Sequence, residues 1–166
     1  MGIAWMDSPV GVVRIEASAE GVSCVSFESG MGEDNAGAGG AAWSHCERAR
    51  EELIAYFAGE LRRFTVPVAA EGTAFQRRVW TELVRIGFGE TVSYSALARR
   101  LGDANGTRAV GLANGRNPVA VIVPCHRVIG ADGSLTGYGG GLERKRWLLE
   151  HEGAGLFARG GAGEGA

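Results

Sequence analysis

Apolar positions recur along this chain in two rhythms. Val12 or Val13, Ile15, Val22, Val25 and Phe27 alternate with polar residues, which predicts short strands over 10–18 and 21–27 joined at the turn Glu20-Gly21. Trp43, Cys46, Ala49, Leu53 and Phe57 recur at helical spacing and predict a helix over 43–57. The stretch 29–42 between them, rich in Gly, Ala and polar residues, reads as a mobile loop. Residues 61–72 connect to a second region, which opens with a helix over about 73–86. Thr73 can cap it, and Phe75, Val79, Leu83 and Ile86 form its inward stripe. Ser93 can cap another helix through Leu101, with Leu97, Ala98 and Leu101 on one face. Gly102-Asp103-Ala104-Asn105-Gly106 breaks it, and a further helix starts at Thr107, a helix-turn-helix pattern. Ala109, Gly111, Ala113 and Gly115 keep that last helix slim, which suits tight helix packing as well as a smooth face open to a nucleic-acid backbone.

These elements predict an α/β protein. An N-terminal domain over 1–71 holds a small sheet and a helix, a mostly helical domain occupies 72–153, and a Gly/Ala-rich tail over 154–166 is expected to be disordered. There is no internal repeat. No apolar run approaches the roughly 20 residues that span a bilayer, and the first residues lack a basic stretch followed by an apolar one. No membrane partner is expected, and the expected compartment is the cytoplasm, or the nucleus in a eukaryote. The cysteines Cys24, Cys46 and Cys125 are odd in number and lack framework spacing, so disulfides are not expected. Cys24, His45 and Cys46 also lack the paired spacing of a structural zinc site, and no metal is expected.

The net charge of −2 hides an asymmetry. Residues 1–71 carry five Lys/Arg against eleven Asp/Glu, a net of −6, whereas 72–152 carry eleven against seven, a net of +4. Positive charge in the second region would attract a polyanion, though a solvated surface would carry it equally well.

Candidate chemistry concentrates in Val121-Ile-Val-Pro-Cys-His-Arg-Val-Ile-Gly130. Cys125, His126 and Arg127 interrupt a burial-prone segment, and desolvating such groups unpaired is costly. A nearby proton acceptor and positive charge raise thiolate character, so Cys125 reads as a nucleophile, with a small buried hydrophobe as the plain alternative. Pro124 holds Val123 extended and predicts that Cys125 stands at the exposed end of a strand. Neighbouring side chains of a strand point to opposite faces, so Cys125 and His126 then meet only through a backbone turn or a bridging water.

From Phe75 to Glu152 the chain resembles the catalytic domain of the methylated-DNA–protein-cysteine methyltransferases, or O6-alkylguanine-DNA alkyltransferases. The landmarks are Phe75-Gln76-Arg77-Arg78-Val79-Trp80, Gly89-Glu90-Thr91-Val92-Ser93-Tyr94, Arg108-Ala109-Val110-Gly111, Asn117-Pro118, Pro124-Cys125-His126-Arg127-Val128, Gly137-Tyr138, and Trp147-Leu148-Leu149 leading to Glu152. The resemblance implies a ribonuclease H-like first domain. It also implies a monomer that binds double-stranded DNA through the minor groove, with cooperative binding left open, and transfers the alkyl group of O6-alkylguanine, less firmly of O4-alkylthymine, to its own cysteine. No cofactor is implied, because the cysteine is the acceptor.

By the same resemblance Cys125 is the nucleophile, His126 the base acting through a water, Glu152 its orienting carboxylate, Tyr94 a proton donor to the departing guanine, and Asn117 a brace for the active-site turn. Arg108 fills the place of the extruded nucleotide, and Ala109, Gly111, Ala113 and Gly115 line the DNA face with Tyr94. The carbonyls of Cys125 and Val128, Tyr138 and the Gly139 amide hold the flipped base. Gly139 stands where some relatives carry serine. A solvated helix arginine, a half-buried tyrosine and a helix-end carboxylate remain the plain readings of Arg108, Tyr94 and Glu152. Two other functions fit parts of the pattern: a lesion-binding protein without transfer, which the cysteine opposes, and a transcription regulator with a redox cysteine, for which no resolving cysteine is evident near Cys125.

Overall fold

The computed structural model describes residues 1–102 and 106–154 of the 166-residue chain. They divide into two compact units, Met1–Glu71 with Pro118–Ile122, and Gly72–Asn117 with the chain from Val123.

In the first unit three antiparallel strands follow chain order: β1 (Gly2–Met6), β2 (Val12–Ser18) and β3 (Gly21–Glu28). Alternation builds β2, because Val13, Ile15 and Ala17 are buried while Arg14 and Glu16 pair on the other face. The strand β1 lies outside the expected elements. Its inward residues are Gly2, Ala4 and Met6, too small on average to mark a strand, yet Ala4 sits opposite Ile15 in the core. Two single bridges, Val22 with Val68 and Val25 with Val119, extend the sheet beside β3. The helix α1 (Gly40–Phe57) covers the sheet with Cys46, Ala49, Leu53 and Tyr56 and starts three residues earlier than its periodicity indicated.

The expectation of a mobile loop before α1 is corrected. Asn35 and Ile3 exchange two backbone hydrogen bonds of 2.8 Å, and the Asp34 carboxylate accepts from the Trp5 amide at 3.0 Å and from Arg50 at 2.8 Å. These ties join residues far apart in sequence, which local composition does not reveal.

In the second unit the elements are α2 (Ala74–Val84), β4 (Val92–Ser93), α3 (Tyr94–Arg100), α4 (Thr107–Gly115), a 3-10 turn over Cys125–Arg127, β5 (Val128–Ile129) and α5 (Leu142–His151). Thr73 Oγ1 accepts from the Gln76 amide at 3.1 Å while Gln76 Oε1 accepts from the Thr73 amide at 2.9 Å, a reciprocal cap on α2. Ser93 Oγ accepts from the Ala96 amide at 3.1 Å and starts α3; such a cap stabilises a helix by about 1 kcal/mol. Val79, Trp80 and Leu83 turn α2 inward, and Trp80 Nε1 donates to the Ala113 carbonyl at 2.8 Å, pinning α4 to it. Burial of a side chain such as Leu83 contributes on the order of 1.5–3 kcal/mol.

Strand β4 pairs in parallel with β5, Val92 opposite Val128, so the start of α3 lies beside the segment that follows Cys125. The expected break between α3 and α4 falls partly on residues 103–105, outside the described residues. The expected disordered tail does too, except at its first residue. Ala154 is buried and donates its amide to the Leu149 carbonyl at 3.0 Å, closing α5.

Candidate active site

Two tight turns precede Cys125. The Ile122 amide donates to the Ala120 carbonyl at 2.8 Å around Val121, whose φ is 69°, and the Cys125 amide donates to the Val123 carbonyl at 2.8 Å around Pro124, at φ −83° and ψ 64°. The Pro124 geometry is that of an inverse γ-turn, and a β-branched residue at positive φ is strained by about 1–3 kcal/mol. The expectation of an exposed strand end is therefore corrected: proline's fixed φ serves a turn here, and Cys125 opens a 3-10 turn with only 7% of its surface exposed.

The same turn buries His126 and Arg127 beside Glu152, the residue that ends α5. Glu152 Oε2 accepts from His126 Nε2 at 2.8 Å and from Arg127 Nη2 at 2.9 Å, while Oε1 accepts from Arg127 Nε at 2.8 Å and from the Gly89 amide at 3.4 Å. Arg127 Nη1 donates to the Ile86 carbonyl at 2.5 Å. Gly89 has to be glycine, since its φ is 82° and a Cβ there would lie 3.0 Å from the Glu152 carbonyl. Burial acts to raise the Glu152 pKa, but its bonds to His126 and Arg127 outweigh it and hold the carboxyl well below the usual range. Burial pushes His126 the other way, down from its ordinary value; the Glu152 interaction opposes this, and the charges of Arg127 and Lys145 add to it. The imidazole is therefore neutral near pH 7 with its proton on Nε2. Nδ1 carries the free lone pair, and it is buried with no hydrogen-bond partner among the described residues.

Burial also raises the Cys125 thiol pKa, whereas a hydrogen bond from Asn117 and the charge of Lys145 lower it. Asn117 Nδ2 donates to the Val123 carbonyl at 2.8 Å as well, so this side chain ties the inverse γ-turn to the thiol. Asn114 Nδ2 lies 3.4 Å from the Cys125 carbonyl. Tyr138, whose hydroxyl is buried and without a partner among the described residues, is kept protonated by burial and next by Cys125. Tyr94 is half-buried, and its hydroxyl donates to the Thr136 carbonyl at 3.1 Å. Of the two carbonyls expected to read a base, that of Cys125 already accepts from the Val128 amide and from Asn114 Nδ2, which takes up both its lone pairs, and that of Val128 accepts from Lys145 Nζ. Gly139 lies in the turn closed by the Gly141 amide on the Tyr138 carbonyl at 3.0 Å, and a Cβ there would meet open space.

On α4, Arg108, Ala109 and Gly115 are exposed together with Leu112 and Arg116. Gly111 lies under Tyr94, whose ring a Cβ would meet at 3.7 Å. Ala113 is corrected: it is 3% exposed and faces α2, because the Trp80 contact claims that side of the helix.

Lys145 was missed in the sequence. It is fully buried, donates to the Val128 carbonyl at 2.6 Å and to Thr136 at 2.7 Å, and lies 5.9 Å from the Tyr94 ring centre. Burial brings its ammonium down to about 8, with Cys125 opposing. The available signal was helical spacing, which places Lys145 on one stripe with Leu148, Leu149 and Glu152. Among the described residues no group of three or more His, Cys, Asp or Glu is placed to hold a metal ion.

Residues 74–154 match a family model described as 6-O-methylguanine DNA methyltransferase, DNA binding domain. The chain is 46% identical over 158 residues to the methylated-DNA–protein-cysteine methyltransferase of Methanosarcina acetivorans, an alignment covering 93% of this chain and 99% of that protein. It is 61% identical over 102 residues to the protein of the same name from Mycobacterium tuberculosis, covering 61% of this chain and 62% of that one. The crystal structure of Mycobacterium tuberculosis OGT in complex with DNA superposes with a TM-score of 0.78 at 43% identity, covering 90% of this chain and 91% of that one.

Proposed function

Because the chain belongs to the methylated-DNA–protein-cysteine methyltransferase family, we propose that it repairs DNA by moving the alkyl group of O6-alkylguanine onto Cys125. The Cys125 thiolate attacks the alkyl carbon; a carbon–sulfur bond forms as the carbon–O6 bond breaks, and guanine is restored. His126 takes the thiol proton at Nδ1 through a water, and Glu152, fixed by Arg127, stabilises the imidazolium that results. Tyr94 turns its hydroxyl from the Thr136 carbonyl to protonate the departing base. Lys145 and Asn117 favour the thiolate. The observation that carries this reading is the Nδ1 of His126, buried and without a partner among the described residues, in the turn that also holds Cys125.

The alkyl group is inaccessible in stacked DNA, so the base is rotated out at a cost of a few kcal/mol, offset by backbone contacts and an inserted side chain. The pair α3–α4 acts as a helix-turn-helix whose exposed α4 residues enter the minor groove, with Arg108 replacing the extruded nucleotide. The three strands and α1 of the first unit accord with a ribonuclease H-like domain over 1–71, joined in the same compact unit by Pro118–Ile122. Lesion binding without transfer has no feature of the site in its favour, since it leaves the Cys125 arrangement unused.

Incubation with a duplex containing O6-methylguanine, followed by digestion and mass spectrometry, tests the proposal. One added methyl group on the Cys125 peptide is the expected result. Binding of the duplex with no adduct, or an adduct on another residue alone, contradicts it.

A further inference from the structure

The inward stripe of α2 leaves its opposite side bare, and that side is strongly basic. Arg77, Arg78 and Arg85 of α2 and Arg100 at the end of α3 line a groove of about 430 Å3 together with Thr81 and Glu82. Glu82 is the one carboxylate among these residues, and it is taken by Arg85 at 3.3 Å, where the Arg85 side chain is 70% exposed. Arg78 Nη2 donates to the Leu101 carbonyl at 2.9 Å, and Arg77 Nη1 to the Gly72 carbonyl. Those bonds aim guanidinium groups without neutralising them. Like charges crowded on one surface repel, so the arrangement is unfavourable until an anion is supplied. Planar guanidinium forks match phosphate oxygens, and four of them around an open groove match a chain of phosphates better than a single ion.

We infer that this groove is a second DNA-contact surface, which grips the phosphodiester backbone away from the α4 face. The inference rests on reading the chain as a DNA-acting alkyltransferase. The helix α4 packs on both α2 and α3, so the groove and the proposed minor-groove face belong to one helical cluster. Phosphate contacts of this kind position a protein on a duplex without reading sequence. The groove therefore contributes equally to damaged and undamaged DNA.

The test compares the full chain with the variant Arg77→Gln/Arg78→Gln/Arg100→Gln on undamaged duplex over a range of salt. Each phosphate contact contributes a slope of about 0.9 in log affinity against log salt, so losing three contacts makes the wild-type advantage about fortyfold larger at 50 mM than at 200 mM salt. The charge-keeping variant Arg77→Lys/Arg78→Lys/Arg100→Lys is expected to retain the steeper slope, and Arg100→Gln alone, at an exposed position, to lose about one contact. Equal slopes for wild type and the glutamine variant overturn the proposal. So does stabilisation of the wild type alone by inorganic phosphate with unchanged DNA slopes, which makes the groove a small-anion site. Failure of the wild type to react with free O6-benzylguanine or lesion duplex refutes the alkyltransferase reading instead, and that is scored separately from the salt slopes.

Discussion

His126 Nε2 and Glu152 Oε2 lie 2.8 Å apart with both side chains sealed from solvent. That contact decides which end of the imidazole can accept a proton. With Nε2 donating to a carboxylate that Arg127 keeps ionised, Nδ1 is the basic end, and burial keeps the ring neutral and ready at pH 7.

Replacing that carboxylate, Glu152→Gln, is expected to destabilise the protein by about 3–5 kcal/mol, because the buried Arg127 guanidinium loses the carboxylate it is paired with. Alkyl transfer is expected to slow by about 10²–10⁴ as the base loses its orientation and charge support. Urea unfolding and single-turnover kinetics measure the two effects; unchanged values of both contradict the assigned role.

Acid is expected to destabilise the fold in two stages. His126 is held below its ordinary value of 6.5, so the unfolded chain takes up a proton that the folded one refuses, and stability declines as pH falls below about 6.5. Glu152 is held below its ordinary 4.5, so its contribution is complete above about that pH and is lost below it. Unfolding midpoints from pH 8 to 4 report this, and His126→Gln is expected to remove the first decline. A midpoint independent of pH between 8 and 5 contradicts it.

Lys145→Met is expected to raise the Cys125 pKa, because it removes a buried positive charge that favours the thiolate. It also takes the ammonium donor from the Val128 and Thr136 carbonyls, at about 1–3 kcal/mol for each group left unsatisfied. The pH dependence of Cys125 alkylation by iodoacetamide measures the thiol pKa. An unchanged profile in a folded variant assigns Lys145 to the loop alone.

Much of the second unit was legible because its signals are local. Thr73 with Gln76, and Ser93 with Ala96, mark helix starts within four residues, and the capped helices begin where those pairs put them. What escaped depends on distant partners or on backbone geometry. Asp34 meets Arg50 across sixteen residues, β1 declares itself only by pairing with β2, and Pro124 suits a γ-turn as readily as a strand. The motif around Cys125 pointed to the chemistry, but its burial was hidden, since a turn and a strand share the same letters. Ala113 was grouped with the exposed small residues because composition does not tell which side of α4 Trp80 occupies.

Arg108→Ala is expected to slow repair of lesion duplex severely while sparing the reaction with free O6-benzylguanine, which needs no extrusion. Arg108 is exposed on the first turn of α4, so a general loss of folding is not expected. Comparison of single-turnover rates on the two substrates decides; equal losses on both place Arg108 in a structural role.

The central claim is that Cys125 is the acceptor and is consumed. A thioether has no leaving group that water can displace, unlike an acyl thioester, so each molecule acts once. Titration of active protein against excess O6-methylguanine duplex, followed to completion, measures this most directly. The predicted result is a plateau at one methyl group removed per active protein, matched by one methyl group on Cys125. Continued turnover past that plateau, or repair that leaves Cys125 unmodified, would contradict it.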